Sequence, residues 1–383
     1  MRETFCPDYR NLVNAAFNRS AQRLPLYEHN VSFKKIGEVM GKDLETLFQG
    51  DDRDVEEFFA VYSEFFRRYG YDVVTFEACI GQIFPGGGAL GDSRVDPVIK
   101  TREDFERYPW EELEERYFEK NSRYFRALRS QMPEGMKAVG GVGNGIFECV
   151  QELTGFQGLC YIGADDEELY ADLFRKVGEL HQSIWKRFMR EFGDIYCVLR
   201  FGDDLGYKSN SLLSTDDIRM HIFPWYKKTV DLVHSYGKPF LLHSCGNIFH
   251  LMEDLITDVG IDAKHSNEDQ IAPFPEWVRR YGDRIGNFGG FDVDKVCFAG
   301  KEELREYIRD VLSCCEGHGG IAAGTGNSIP DYVPTENYLD MIEIVREYRG
   351  SENTEKRTFS LNPFLRQTNS NFRRCYLKLT NCQ

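Results

Sequence analysis

The chain has 383 residues and a formal net charge of −15, which argues against a broad basic surface for nucleic acid or anionic lipid. Hydrophobic residues make up 42% and charged residues 28%, the balance of a globular protein that buries a core without covalent cross-links. Since neither a signal peptide nor a membrane-length apolar run is apparent, we expect a cytoplasmic protein with reduced cysteines.

The first 70 residues are predicted to form a helical segment that packs on the main domain. In DDRDVEEFFAVYSEFFRRYG (51–70), aromatic and aliphatic residues recur at helical spacing. The stretch begins with acidic residues and ends at Gly70, which are the expected start and stop signals of a helix.

Residues 71–350 alternate between short apolar runs and amphipathic helical patterns. Such alternation predicts a parallel sheet with crossover helices, and seven or eight units favour a (β/α)8 TIM barrel. A doubly wound open sheet is the weaker alternative, because no GxGxxG follows the first run. The runs are DVVTF (72–76), KAVGGV (137–142), IYCVLRF (195–201), PFLLHS (239–244), IDAKH (261–265), RIGNFGG (284–290) and GGIAAG (319–324).

The segment 351–383 differs from the rest in composition. It carries six Lys or Arg against two Glu and shows no clear periodicity. We predict a basic, disordered tail appended to the barrel.

Polar residues follow nearly every apolar run. The active site of a (β/α)8 barrel lies where the strands end, so these residues are candidates for function. They are Glu77, Cys79, Asn144, Asp203, Asp204, His243, Cys245, Asn247, His265, Asn267, Glu268, Asp292 and Asn327.

The stretch LLHSCGNIF (241–249) places His243 and Cys245 two residues apart after the fourth run. Positions i and i+2 of a strand point to one side, so both side chains can bind one ion. Imidazole and thiolate together favour zinc. The alternative is a buried cysteine beside a histidine that is bonded to the backbone.

The segment HSCGNIFHLMEDLITDVGIDAKHSNEDQ resembles the uroporphyrinogen decarboxylase superfamily, and most closely its cobalamin-dependent methyltransferase branch. Similar motifs are FGDDLGYKSNS, IGNFGGFDVDKV and GGIAAGTGNSIP, and the resemblance spans roughly residues 20–348. It implies a (β/α)8 barrel and a zinc-dependent transfer of a methyl group between a small donor, such as an O-methyl compound, and a corrinoid or thiol acceptor. No cobalamin-carrier motif occurs in the chain, so the corrinoid would arrive on a carrier protein. Self-association as a homodimer is a further expectation.

The resemblance assigns zinc to His243, Cys245 and a later cysteine in a G-C-G context, where this chain has Thr325. Because a hydroxyl is a poor zinc ligand, Glu77 is predicted to complete the site. Cys79 and then the pair Asp203 and Asp204 are the alternatives.

Further roles are predicted for the other polar residues at the strand ends. Asp203 or Asp204 would act as a general acid or orient the metal-binding histidine. Asn267 is predicted as a third catalytic residue, with the role of a polar positioning group. The alternative for the two aspartates is a helix N-cap. Substrate-positioning residues are predicted to be Asn144, Asn247, Glu268 and Asn327.

Two other functions compete with this hypothesis. A tetrapyrrole decarboxylase of the superfamily would carry an early arginine-rich motif, an Asp after the first strand and a late G-H-G. This chain has NRSAQRLPLYEHN, Glu77 and Gly324-Thr325-Gly326 at these places. A non-catalytic relative that binds a corrinoid or its carrier is the second alternative, favoured by the missing cysteine.

Overall fold

The computed structural model describes residues 5–92 and 94–359. Within them, seven parallel strands form one sheet in which the order in space follows the order in the chain. The strands are β1 (Val74–Cys79), β2 (Ala138–Gly143), β3 (Tyr196–Gly202), β4 (Phe240–His243), β5 (Ala263–His265), β6 (Gly286–Phe291) and β7 (Ile321–Thr325).

In the described residues, four helices precede β1, and the others follow or connect the strands. Those before β1 are α1 (Arg10–Ala16), α2 (Phe33–Met40), α3 (Leu44–Gln49) and α4 (Asp52–Tyr69). The others are α5 (Arg102–Arg107), α6 (Leu113–Ser130), α7 (Ile146–Thr154), α8 (Phe156–Asp165), α9 (Glu167–Phe192), α10 (Thr215–Asp217), α11 (Phe223–Ser235), α12 (Met252–Asp254), α13 (Phe274–Tyr281), α14 (Val293–Phe298), α15 (Lys301–Cys314) and α16 (Thr335–Phe359). None of the helices in the described ranges is both long and apolar enough to cross a membrane.

Helix α4 shows how local sequence sets the boundaries of an element. Asp51 accepts hydrogen bonds from two backbone N–H groups of the first turn and forms a capping box with Asp54. Gly70 ends the helix in the left-handed conformation, with φ of 87°, which glycine adopts without steric cost.

The core has two layers. Small, branched and two aromatic side chains fill the inside of the curled sheet, and helix α1 closes its amino-terminal end with Leu12, Ala15 and Ala16. A much larger apolar layer lies between the sheet and the outer helices. The polar strand ends therefore meet at the opposite end of the sheet, where the barrel opens.

An extended N-terminal segment, residues 25–31, lies between the two edge strands. The N–H of Tyr27 donates to the carbonyl of Ala323 in β7 at 2.9 Å, and the N–H of Ala323 donates to Pro25 at 2.9 Å. On the other side, the Thr75 hydroxyl of β1 donates to the carbonyl of Glu28 at 2.8 Å. This segment fills the place of an eighth strand.

The predicted TIM-barrel class is confirmed, and each of the seven apolar runs corresponds to a strand. The expected eighth β/α unit is replaced by the N-terminal segment in the described part of the chain. Of the predicted tail, residues 351–359 continue α16, and residues 360–383 lie outside the described residues.

Candidate metal centre

Three potential metal ligands meet at the open end of the barrel. His243 ends β4, Cys245 follows two residues later, and Asp204 lies just beyond β3. His243 Nε2 is 3.4 Å from Cys245 Sγ and 3.7 Å from Asp204 Oδ1. The Cys245 N–H also donates to Asp204 Oδ1 at 2.8 Å, which holds the β3 and β4 loops together.

These distances fit zinc. Four ligands at zinc bond lengths are about 3.4 to 3.6 Å apart in a tetrahedron, and nitrogen, sulfur and carboxylate oxygen are its usual donors. The Asp204 side chain is 44% exposed and that of His243 is 7% exposed. A fourth ligand can therefore approach from the solvent side, beside Asp204.

A hydrogen-bond relay fixes which nitrogen of His243 is free. His265 Nε2 lies 3.0 Å from the carbonyl of Thr325, which can only accept, so this nitrogen carries the ring proton. His265 Nδ1 is then the acceptor for His243 Nδ1 at 2.7 Å. His243 Nε2 is left with a lone pair directed at Cys245 and Asp204, as a metal ligand requires.

Burial keeps the free thiol and the free imidazole of the site uncharged. Burial, and after it the Asp204 carboxylate, raises the pKa of the Cys245 thiol, so the free thiol is protonated at neutral pH. Burial, and then His265, holds the pKa of His243 well below its usual value and keeps it neutral. A divalent ion would reverse the first effect, since it stabilises the thiolate directly.

A second cluster, formed by His29, His243 and His265, is less suited to a metal. The rings of His29 and His243 are stacked 3.8 Å apart at 22°, so their in-plane lone pairs do not converge. The 2.7 Å between His243 Nδ1 and His265 Nδ1 is a hydrogen-bond distance. We therefore identify the Asp204, His243 and Cys245 triangle as the candidate metal centre.

Glu77, predicted as the third ligand, lies elsewhere in the mouth. Its Oε2 accepts from Arg200 Nη2 at 2.7 Å and from Arg200 Nε at 3.1 Å. Glu77 belongs to neither potential ligand cluster of the described residues, because the guanidinium on β3 holds it. Cys79, the next alternative, is also outside both clusters, and burial raises the pKa of its thiol well above the usual value.

The two adjacent aspartates have different environments. Asp203 is fully buried and accepts from the N–H groups of Phe147 and Glu148 at 2.9 and 2.8 Å and from the Tyr226 hydroxyl. It thus binds the first turn of α7, whose N-cap residue is Gly145, and Asp203 is not itself the N-cap residue that the alternative predicted. Burial raises the pKa of Asp203 to about 6.

The predicted substrate-positioning residues are divided between the metal centre and the surrounding loops. Asn327 Nδ2 lies 3.5 Å from Cys245 Sγ. Asn144 Oδ1 accepts from the N–H of Gly81 at 3.2 Å, and Asn247 Oδ1 from that of Phe249 at 3.5 Å. The side chains of Asn144 and Asn247 therefore stabilise the loops that follow β1 and β4.

The two remaining predicted residues follow β5. Asn267 is buried and its Oδ1 accepts from the N–H of Gly290 at 3.1 Å, whereas its Nδ2 has no hydrogen-bond partner in the described part of the chain. Glu268 is half-buried, and its backbone carbonyl accepts from Ile271 and Ala272.

Sequence reasoning missed two central residues, His29 and Arg200. Arg200 is fully buried in β3, where it also donates to the Tyr27 hydroxyl at 2.7 Å and the His29 carbonyl at 2.8 Å. A signal existed for it, because an arginine inside the apolar run IYCVLRF needs a buried partner. No sequence signal pointed to His29, because this residue lies outside the alternating apolar runs and amphipathic helical patterns.

Comparison with solved structures supports the fold. A methyltransferase from Methanosarcina mazei superposes with a TM-score of 0.60 at 16% identity, over 88% of this chain and 98% of that one. A protein named as a candidate vitamin-B12-independent methionine synthase from Listeria monocytogenes gives a TM-score of 0.50 at 12% identity, over 86% and 99%. No curated protein matches the sequence. The sequence profile of uroporphyrinogen decarboxylase (URO-D) matches residues 52–348, which is most of the chain and includes the entire sheet, and the chain therefore belongs to the uroporphyrinogen decarboxylase family.

Proposed function

We propose that this chain is a zinc-dependent methyltransferase that moves a methyl group from a small O-methyl donor to a corrinoid presented by a carrier protein. The observation that carries the proposal is the Asp204, His243 and Cys245 triangle, with its preset histidine tautomer. The likeness in fold to the Methanosarcina methyltransferase supports it.

In this mechanism, residues of the chain bind the metal and stabilise the charge of its sulfur ligand. Asp204, His243 and Cys245 would hold zinc, which supplies Lewis acidity toward the donor oxygen when bound. Asn327 Nδ2, 3.5 Å from the sulfur, would stabilise its negative charge, since hydrogen bonds favour the charged form of a group.

The proposed methyl transfer requires no electron donor or acceptor other than the reduced corrinoid. The methyl carbon leaves the donor oxygen without its bonding electron pair, and the reduced corrinoid supplies the pair for the new bond. The oxygen keeps the old pair and takes a proton from solvent. Asn267 Nδ2 is buried and has no hydrogen-bond partner within the described residues, and it is available to orient the donor.

Decarboxylation of a tetrapyrrole fits the arrangement less well. Arg23, an early arginine that could bind a substrate carboxylate, is held away from the mouth. Arg23 pairs with Asp72 and donates to the carbonyl of Cys6, at the amino-terminal end of β1. The described mouth instead presents a neutralised Arg200–Glu77 pair and the candidate metal centre.

The test is the zinc content of purified protein, measured by mass spectrometry beside the double variant His243→Ala/Cys245→Ala. We expect about one zinc per chain and its loss in the variant. Zinc-loaded protein should then methylate a reduced corrinoid from an aryl or alkyl methyl ether, followed by the corrinoid's absorbance. Wild-type protein that takes up no zinc after anaerobic preparation would refute the proposal and favour the non-catalytic relative.

A further inference from the structure

The sulfur of Cys245 has two polar neighbours that are not candidate metal ligands. Ser266 Oγ lies 3.5 Å from Cys245 Sγ, and Asn327 Nδ2 lies 3.5 Å from the same atom. These distances are typical of hydrogen bonds to sulfur, which is a larger and weaker acceptor than oxygen. Ser266 follows β5 and Asn327 follows β7, so the two groups reach the sulfur from different loops of the barrel mouth.

The other contacts of these two side chains decide which atom donates. Asn327 Oδ1 accepts from the N–H of Ser328 at 2.8 Å, so Nδ2 is the end of the amide that faces the sulfur. The Ser266 hydroxyl has Cys245 as its only partner among the described residues. A thiolate has no proton to give, and Ser266 therefore donates to Cys245 whenever the sulfur is a metal-bound thiolate.

A buried lysine holds Ser266 in place. Lys264 is 3% exposed, and its Nζ donates to the backbone carbonyl of Ser266. The same Nζ lies over the ring of Trp277, 3.8 Å from the ring centroid. A buried amino group needs such partners. These two contacts fix the Lys264 side chain, and with it the backbone that carries the Ser266 hydroxyl.

The two donors match the lone pairs of the sulfur that a metal would leave free. A thiolate sulfur carries three lone pairs. When one of them binds a metal ion, the other two can each accept one hydrogen bond, from Ser266 and from Asn327. A lone pair that accepts a hydrogen bond is a weaker nucleophile, because the bond must be lost before the pair can attack a carbon atom.

We propose that Ser266 is a positioning residue that, together with Asn327, prevents the zinc-bound sulfur of Cys245 from capturing the methyl group. In that side reaction a sulfur lone pair would form a bond to the methyl carbon. The bond from this carbon to the donor oxygen would break, and the oxygen would keep its electron pair. The resulting thioether lacks the negative charge with which cysteine binds zinc, so a single event would disable the centre. This inference rests on the proposed function.

A purely structural role explains the Ser266 hydroxyl less well. The backbone of Ser266 is held through its carbonyl, by Lys264, whereas the hydroxyl bonds to the sulfur. A structural role predicts that removal of the hydroxyl lowers stability and leaves the reactivity of Cys245 unchanged. The experiment therefore measures reactivity.

The test is the rate at which iodomethane alkylates Cys245 in zinc-loaded protein, measured by mass spectrometry of the peptide that carries this cysteine. Each event forms a bond from sulfur to carbon, breaks the bond from carbon to iodine and releases iodide. We expect Ser266→Ala to raise the rate about tenfold, the effect of one hydrogen bond to a charged group. Ser266→Thr, which keeps the hydroxyl, should restore the slow rate. Equal rates for wild type and Ser266→Ala would overturn the proposal.

A second donor and a matched control complete the set of variants. Should Ser266→Ala fail to fold, Asn327→Leu removes the other donor, and we expect a rise in the same direction. Ser63→Ala is the control, because Ser63 is buried in α4 and its hydroxyl has no partner in the described part of the chain. We expect no change for this control, and a rise equal to that of Ser266→Ala would overturn the proposal.

Protein loaded with Co²⁺ gives a spectroscopic readout of the same hydrogen bond. The charge-transfer band from sulfur to metal should move to longer wavelength in Ser266→Ala, because loss of the hydrogen bond raises the energy of the sulfur lone pairs. A band that stays at the wild-type wavelength would contradict the proposal.

The outcomes distinguish this inference from the proposed function. If wild-type protein binds zinc and the variants are alkylated at its rate, the inference fails and the candidate metal centre stands. Faster alkylation of the variants, without any methyl transfer to a corrinoid, would support the inference and contradict the methyltransferase. Wild-type protein that takes up no zinc would refute both.

Discussion

At the residue scale, Asp203 and Asp204 show that neighbouring carboxylates can have separate tasks. Asp203 is fully buried and hydrogen-bonded to α7, whereas Asp204 belongs to the candidate metal centre. We expect Asp204→Asn to weaken zinc binding at least about tenfold with little loss of stability, because an amide is a poorer ligand than a carboxylate. Asp203→Ala should cost about 1–3 kcal/mol of stability and retain zinc.

Zinc titration and urea denaturation of both variants check this pair of outcomes. If Asp203→Ala lost zinc in its folded state while Asp204→Asn kept it, the ligand assignment would be wrong. Glu77→Gln serves as a further control, and we expect it to leave zinc affinity unchanged.

His265 carries a second prediction at this scale. It fixes the tautomer of His243 through the hydrogen bond between the two Nδ1 atoms. Loss of such an outer partner typically costs 10- to 100-fold in metal affinity. We therefore expect His265→Leu to weaken zinc binding about 10-fold or more while Cys245 and Asp204 remain in place. His265→Asn, whose amide can still bond to His243, should recover part of the affinity, and equal losses in both variants would contradict the relay.

The approach of His243 and Cys245 to each other was predictable from sequence, whereas Asp204, which completes the triangle, was predicted only as an alternative after Glu77 and Cys79. Strand parity places His243 and Cys245 on one side, and the structure agrees. Parity also put Glu77 in the mouth, but it could not show that Arg200 on β3 holds the carboxylate. Pairing between distant strands decides such contacts, and no local pattern encodes it.

At the scale of elements, the N-terminal segment 25–31 links β7, β1 and β3. The seven strands were predictable because each is a short apolar run followed by an amphipathic helix. The segment 25–31 has neither feature. Its extended backbone is held on both sides by contacts with the edge strands β7 and β1, and a local sequence pattern does not encode such contacts.

Arg200 joins three of these elements, so its removal should be severe. It bonds to Glu77 of β1 and to Tyr27 and His29 of the segment from within β3. Breaking a buried ion pair typically costs 3–5 kcal/mol. We expect about this loss of unfolding free energy for Arg200→Met, measured by urea denaturation.

Arg175→Met is the matched control for Arg200→Met. Arg175 also pairs with two carboxylates, but its side chain is 52% exposed, and exposed pairs contribute at most about 1 kcal/mol. A loss for Arg200→Met no larger than that of the control would mean that Arg200 does not hold the segment.

At the scale of the whole molecule, closure of the barrel depends on a buried carboxyl group. Glu28, in the N-terminal segment, accepts from the Thr325 hydroxyl of β7 and from its N–H at 3.3 Å. Burial raises the pKa of Glu28 to about 8. Burial also raises the pKa of Asp269 to about 7. The folded molecule therefore holds protons on both groups at pH values where the unfolded chain releases them.

The sign of the resulting pH dependence is fixed. When the native state binds more protons than the unfolded state, stability falls as pH rises. The contribution of Glu28 is complete below its usual pKa and is lost as pH rises through about 8. We therefore expect the free energy of unfolding, from urea denaturation, to fall between about pH 6 and pH 8, by up to about 1.4 kcal/mol per pH unit for each proton. Glu28→Gln should flatten this decline, because the amide does not titrate.

Glu253→Gln is the control variant and should leave the decline unchanged. The hydrogen bond from Arg284 lowers the pKa of Glu253 and keeps this carboxylate ionised throughout the range. Parallel pH profiles for wild type and Glu28→Gln would show that the segment closes the barrel without a protonated Glu28.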